Sequence, residues 1–239
     1  MSESLARKNA DLERLLRLIA LEHAPVALAS SLSAEDMVIT DAILRHGLDI
    51  VIFTLDTGRL HADTLNVIAA IRERYSYEVQ VFRPDPVSVS EYVAGFGRDG
   101  FYESVELRKR CCRLRKVEPL ERALAGKAAW ITGQRRDQAT TRAEMKIQEH
   151  DAAHGIVKFN PLADWSENDL WETIRDRNIP YNTLHDQSYR SIGCAPCTRP
   201  TVAGEDVRAG RWWWELNEVR ECGLHVAPDG RPARAKESA

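Results

Sequence analysis

The chain has 239 residues, 44% of them hydrophobic, and 33 Lys and Arg against 36 Asp and Glu leave a net charge of −3. That length and apolar share suit one domain able to bury a core without cross-links, and the balanced charge argues against a general nucleic-acid surface. The opening MSESLARKNADLERLL has no apolar signal core and no apolar run approaches membrane-spanning length, so a cytoplasmic protein without nucleic-acid or membrane partners is expected. Residues 4–22 space Leu5, Leu12, Leu15, Leu16 and Ile19 as an amphipathic helix.

After Pro25 comes a short apolar run, 26–29, then Ser30, Ser31, Leu32 and Ser33, and a helical pattern over 35–46 with Gly47 as its stop. Strand, serine loop and helix in succession offer hydroxyls and unpaired N–H groups to an anion, although Ser before a helix is also the ordinary cap. The run DIVIFT, 49–54, reads as a parallel strand buried on both faces, and Leu55, Asp56, Thr57 and Gly58 follow at its carboxyl end, where open α/β sheets bind ligands. Helix 59–75 and strand 79–82 come next, closed by Pro84 and Pro86.

Residues 88–101, a helical or irregular piece with three glycines, read as a mobile connection and not as a phosphate loop. A helix over 112–125 bears the cysteine pair and is broken or kinked at Pro119. AAWIT, 128–132, is a fourth strand leading into Gly133, Gln134, Arg135, Arg136, Asp137 and Gln138, then Arg142. A short strand over 157–160, a helix from the Ser166 cap to Arg177 and a helix near 205–220 complete the prediction.

Four of five cysteines form two pairs, Cys111-Cys112 and Cys194-Ala195-Pro196-Cys197, and Cys222 stands alone. Two pairs can give four thiolates to one iron-sulfur cluster or a structural zinc; buried inert thiols and, more weakly, disulfides are the other readings. Neighbouring residues on an ordinary helix point about 100° apart, so an adjacent pair suits a wide cluster, with the first Cys at a helix start and the second just inside. Lys109, Arg110, Arg113, Arg115 and Lys116 would surround a net-negative group. Cys222 is the candidate nucleophile, with His225 three residues on to lower its pKa.

The serine loop with Glu35 and Asp36, the Leu55-Asp56-Thr57-Gly58 turn, the Cys111-Cys112 helix, Thr132-Gly133-Gln134-Arg135-Arg136-Asp137-Gln138, Cys194 to Cys197 and Glu221-Cys222-Gly223-Leu224-His225 together resemble the assimilatory adenylyl-sulfate and phosphoadenylyl-sulfate reductases, over about 24–227. The resemblance implies a Rossmann-like adenine-nucleotide α-hydrolase fold, α/β with a mainly parallel sheet, in a single domain 1–227 followed by a mobile, disordered tail 228–239. It implies the branch that carries one 4Fe-4S cluster on Cys111, Cys112, Cys194 and Cys197 and reduces adenosine 5'-phosphosulfate (APS), with thioredoxin as reductant and a homo-oligomeric assembly.

By the same resemblance, Ser30, Ser31, Ser33, Asp36, Leu55, Thr57, Gly58, Lys116, Gly133, Arg136, Arg142, Arg208 and Arg211 would face the substrate, with Lys116 linking it to the cluster. Cys222 and His225 would be catalytic. Arg135 is a second-choice contact, like Arg136, and Trp212, Trp213 and Trp214 read as packing. Many relatives carry Gly where Ser33 stands, which narrows backbone freedom in the serine loop. Rival readings are a reductase of the 3'-phosphorylated substrate (PAPS), a non-catalytic iron-sulfur redox sensor, and an ATP pyrophosphatase, which would need a fuller serine-glycine loop.

Overall fold

A computed structural model of the protein describes residues 2–139 and 142–215. Six strands form one sheet: β1 (Val26–Ala29), β2 (Ile50–Leu55), β3 (Gln80–Phe82), β4 (Ala129–Ile131), β5 (Gln148–Asp151) and β6 (Ile156–Phe159). Their order is β3-β2-β1-β4-β6-β5, every pairing parallel except that of β5 with β6. The expected α/β class with a mainly parallel sheet is what the chain adopts.

Helices cover both faces because the inner strands are apolar on both. Val26 and Leu28 of β1 join a core with α1 (Glu3–Glu22), α2 (Ala34–Arg45), α3 (Ala62–Tyr75) and α7 (Glu167–Arg177). Ala27, pointing the other way, joins Phe53 and Trp130 under Leu120, Ala123 and Leu124 of α6 (Glu118–Leu124). Helix α1 buries Leu5, Leu12, Leu16 and Ile19, and the one polar residue on that stripe, Asn9, donates to Leu5 O at 3.0 Å and Thr173 Oγ1 at 3.1 Å. Ser166 begins α7 with a reciprocal capping box to Asp169. No described helix is long and apolar enough to cross a membrane.

The strand order reverses between β1 and β4. The crevice beyond the carboxyl ends of two such strands is where open α/β sheets take ligands. Here it is flanked by the serine loop after β1 and by Thr132 and Gly133 after β4, and Thr132 Oγ1 is fixed by donating to Asn160 Oδ1 at 2.7 Å.

Several predicted elements need correction. Of the two readings of 88–101 the helical one holds, and the mobile connection does not: the stretch is a regular helix, α4 (Pro86–Phe96), plus one 3₁₀ turn over Gly100–Tyr102. Asp85 caps α4 through Ser88 N and Pro86 takes the first turn, so the prolines that close β3 also start a helix. The cysteine helix starts earlier, as α5 (Val105–Cys112) capped by Ser104, and a π-helical segment, Arg113–Val117, joins it to α6. Cys111 and Cys112 therefore sit in a last helical turn and not at a helix start. The highly charged α5 has little apolar stripe to announce it, and the break or kink expected at Pro119 corresponds to the π-helical departure from regular geometry just before it.

Strand β5 is missing from the prediction because Gln-Glu-His-Asp has no apolar residue; it is the charged edge of the sheet. The helix expected near 205–220 is absent over 205–215. That stretch is a series of turns held by Arg199 on Glu205 at 2.9 Å and by Asp206 Oδ1 accepting from Arg208 N at 2.8 Å. Residues 216–220, and the tail expected from 228, lie outside the described residues.

Candidate active site

A cavity of about 210 Å³ opens at the crevice between β1 and β4. It is lined by Ser30, Ser31, Ser33, Asp36, Leu55, Thr57, Lys116, Gly133, Arg142, Arg208 and Arg211, eleven of the predicted substrate-facing residues, drawn from six separate stretches of chain. Gly58 is not on this wall; its φ of 69° serves the turn in which its N–H donates to Asp56 Oδ1 at 3.0 Å. Arg136 is also elsewhere, donating from Nε to Met145 O at 2.8 Å and pairing with Asp164. Arg135 is 3% exposed and paired to Glu35 at 3.0 Å, behind the wall. Cys222 and His225 lie outside the described residues.

The serine loop is built differently from an open anion cradle. Ser31 gives both its N–H (2.7 Å) and its hydroxyl (2.6 Å) to Asp36 Oδ2, and Ser30 Oγ accepts from Leu32 N at 3.2 Å. The loop's own carboxylate thus takes donors that a ligand would otherwise use. Ser33 has φ −82°, a value any residue adopts, so a serine in place of glycine costs nothing there; the left-handed residue is Leu32, at φ 63°. Gly133 packs so tightly that a Cβ on it would lie 2.9 Å from Glu35 Cβ and closer still to Asp36.

Burial raises the Asp36 carboxyl to about 6, against the two Ser31 bonds that pull it down, and the Glu35 charge raises it further. The folded protein therefore holds this proton up to about pH 6, whereas the unfolded side chain loses it near 3.8. Between those values the stability contributed by Asp36 falls as pH rises. In urea unfolding, Asp36→Asn is expected to gain on the wild type by up to about 3 kcal/mol between about pH 4 and pH 7. A constant difference would show that Asp36 does not hold the proton.

Next to this cavity, Cys111, Cys112, Cys194 and Cys197 line one pocket together with Arg59, Arg108, Arg115, Lys116, Arg211 and Trp212. The two distant pairs do meet. All four are free cysteines, which removes the disulfide reading for these residues. The Cys194–Cys197 loop is fixed by Ala195 N donating to Arg59 O at 2.7 Å, Tyr102 Oη to Pro196 O at 2.6 Å and Trp212 N to Cys197 O at 3.1 Å. Thr57 Oγ1 lies 3.2 Å from Cys194 Sγ, and Arg115 Nη1 donates to Thr57 O at 2.7 Å.

Among the described residues no three His, Cys, Asp or Glu side chains are grouped closely enough to hold a single metal ion. Four thiols lining one pocket are a donor set of the kind that an iron-sulfur cluster uses. Burial raises the Cys111 thiol, and raises Cys197 to about 12, as it does for buried inert thiols too. One observation does fit a bound group. Trp212 is 1% exposed and its indole Nε1, on a residue lining the thiol pocket, has no partner among the described residues.

Lys116 and Arg211 line both cavities. Arg211 is 7% exposed, donates from Nη1 to Ile192 O at 3.2 Å, and stacks on Trp212 with its guanidinium carbon 4.7 Å from the ring centre. Its Nε has no partner among the described residues. Gly193 permits this placement, because a Cβ there would lie 2.5 Å from Arg211 Nη2. Arg108 also stacks on Trp212, at 4.6 Å, and Glu215 grips it in two bonds of 2.7 and 2.9 Å. Trp212 and Trp214 are packing residues, as expected, whereas Trp213 is half exposed. Removing one partner of a buried pair strands the other charge, so Glu215→Ala is expected to cost about 3–5 kcal/mol in urea unfolding; a loss below about 1 kcal/mol would contradict that burial.

The sequence reading missed several wall residues, among them Glu35, Gln138, Arg190 and Val207. Gln138 stands in a motif it had singled out. Arg190 and Val207 lie in irregular chain whose course no periodicity reveals.

The phosphoadenosine phosphosulfate reductase domain model matches residues 25–200. The chain is 55% identical to the adenosine 5'-phosphosulfate reductase of Burkholderia cepacia, over 95% of this chain and 90% of that protein. It is 52% identical to the enzyme of that name from Allochromatium vinosum, over 94% and 88%. A solved phosphoadenylyl-sulfate reductase from Candida auris, in a phosphate complex, superposes with a TM-score of 0.69 at 24% identity, covering 83% of this chain and 98% of that one. An FMN adenylyltransferase from Candida glabrata shares the fold more loosely, with a TM-score of 0.58 at 14% identity, over 91% and 74%. With a matching family model over most of its length and relatives above half identity that bear one name, the chain belongs to the APS/PAPS reductase family, on the branch of the adenosine 5'-phosphosulfate reductases.

Proposed function

We propose that the protein reduces APS to sulfite and AMP in sulfate assimilation, with thioredoxin as the reductant. The observation that carries this reading is the wall shared by the two cavities, where Lys116 and Arg211 stand and the buried Arg211 Nε lacks a partner among the described residues. Such a donor is satisfied by an anion, and forked guanidinium groups suit the dispersed charge of a phosphosulfate. Arg142 and Arg208 approach the same space.

Chemically, the Cys222 thiolate attacks the sulfur of the phosphosulfate; the bond from sulfur to the bridging oxygen breaks and AMP leaves, giving S-sulfocysteine. A thioredoxin thiolate then attacks the Cys222 sulfur and sulfite departs with the bonding pair. The second thioredoxin thiol resolves the mixed disulfide, so the dithiol supplies both electrons. Arg142, Arg208, Arg211 and Lys116 hold the charge on the phosphosulfate and on the departing phosphate, and His225 stabilises the attacking thiolate. Cys111, Cys112, Cys194 and Cys197 would hold a 4Fe-4S cluster, which when bound supplies electrostatic and structural support to this end of the site.

The test is sulfite release by anaerobically purified protein with thioredoxin, from APS and from PAPS, with iron and sulfide counted. Faster release from APS by iron-containing protein is expected. A preference for PAPS would move the chain to the other branch, and nucleotide binding without sulfite would make it a sensor.

A further inference from the structure

Arg142 enters the cavity wall from a short 3₁₀ turn, where its N–H donates to Ala139 O at 2.9 Å, and a long side chain leaving so short an element needs aiming. Gln138 aims it with both ends of its amide. Its Oε1 accepts from Arg142 Nη1 at 2.6 Å and from Arg135 N at 3.0 Å, and its Nε2 donates to Glu35 Oε1 at 2.9 Å. The same Glu35 oxygen accepts from the buried Arg135 Nε at 3.0 Å, and Arg135 Nη1 donates to Trp165 O at 3.2 Å. A flipped amide would set its NH₂ against a guanidinium and a backbone N–H, and its oxygen against a carboxylate. Only one orientation therefore satisfies every partner.

We propose that Gln138 is a positioning residue for the phosphosulfate end of the site, turning the rigid Glu35–Arg135 pair into a neutral acceptor that aims the Arg142 guanidinium into the cavity. Neutrality is the reason for an amide here. A carboxylate at 138 would hold Arg142 as well but cancel the charge an anionic substrate needs, and it would face Glu35 as a like charge. The inference rests on the reading of Arg142 as a substrate ligand.

The experiment is a double-mutant cycle on kcat/KM for APS, in full-length, iron-loaded enzyme, with thermal melting followed in parallel. Gln138→Met keeps the length and removes both polar ends; it is expected to lower kcat/KM about 10–100-fold. Arg142→Ala is expected to lower it at least as much, and the double variant no further than Arg142→Ala alone. Should Gln138→Met fail to fold, Gln138→Asn takes its place in the cycle with the same expectation. Losses that multiply in the double variant would make Gln138 an independent contact and overturn the positioning role, as would near-wild-type activity of the single Gln138 variant. Wild-type activity of Arg142→Ala would instead remove Arg142 from the substrate site, and the inference with it.

Discussion

Cys222→Ser is expected to lose sulfite release by at least about three orders of magnitude while keeping its full complement of iron. A serine hydroxyl stays protonated at neutral pH and is a far poorer nucleophile toward sulfonyl sulfur than a thiolate, and loss of a covalent nucleophile is among the costliest single changes an active site can suffer. The four thiols that share a pocket are Cys111, Cys112, Cys194 and Cys197, so on this reading replacing Cys222 leaves the iron content and the visible absorption of the protein unchanged. Sulfite assays alongside iron counting check both halves. Turnover by the serine variant would require another residue to accept the sulfonate.

Cys194→Ser is expected to do the reverse in order of cause: iron and sulfide are lost first, and activity falls at least about 100-fold in consequence. Cys194 is 8% exposed, its carbonyl accepts from Thr198 Oγ1 at 3.0 Å and its sulfur lies beside Thr57. It therefore sits where the thiol pocket joins the turn after β2. On the proposed cluster reading, losing Cys194 as a ligand should loosen Arg115, which is anchored on Thr57 O, and with it the wall carrying Lys116. An iron-free Cys194→Ser protein with wild-type turnover would remove the cluster from the account.

Those two contrasting outcomes rest on features of unequal legibility. The parallel strands were readable because runs such as Ile50 to Leu55 are apolar on both faces, and ligand residues fall at their carboxyl ends by a rule of topology. Number and spacing left the two cysteine pairs open between a shared centre and inert thiols, and the family resemblance pointed to the shared pocket in which they meet. What stayed hidden was structure made by polar residues. Strand β5 shows no apolar alternation, half the residues of α5 are charged, and the bonds from Ser31 to Asp36 and from Gln138 to Glu35 depend on side-chain geometry that no period encodes. Arg136 illustrates the limit: it shares a motif with Gly133 and Gln138, yet it turns away to Met145 and Asp164.

The most direct test is mass spectrometry of the iron-loaded protein mixed with APS in the absence of thioredoxin. One SO₃ group on the peptide carrying Cys222, lost when reduced thioredoxin is added and recovered as sulfite, is the predicted result. An unmodified Cys222 peptide while sulfite still accumulates on adding thioredoxin would contradict the account at its centre.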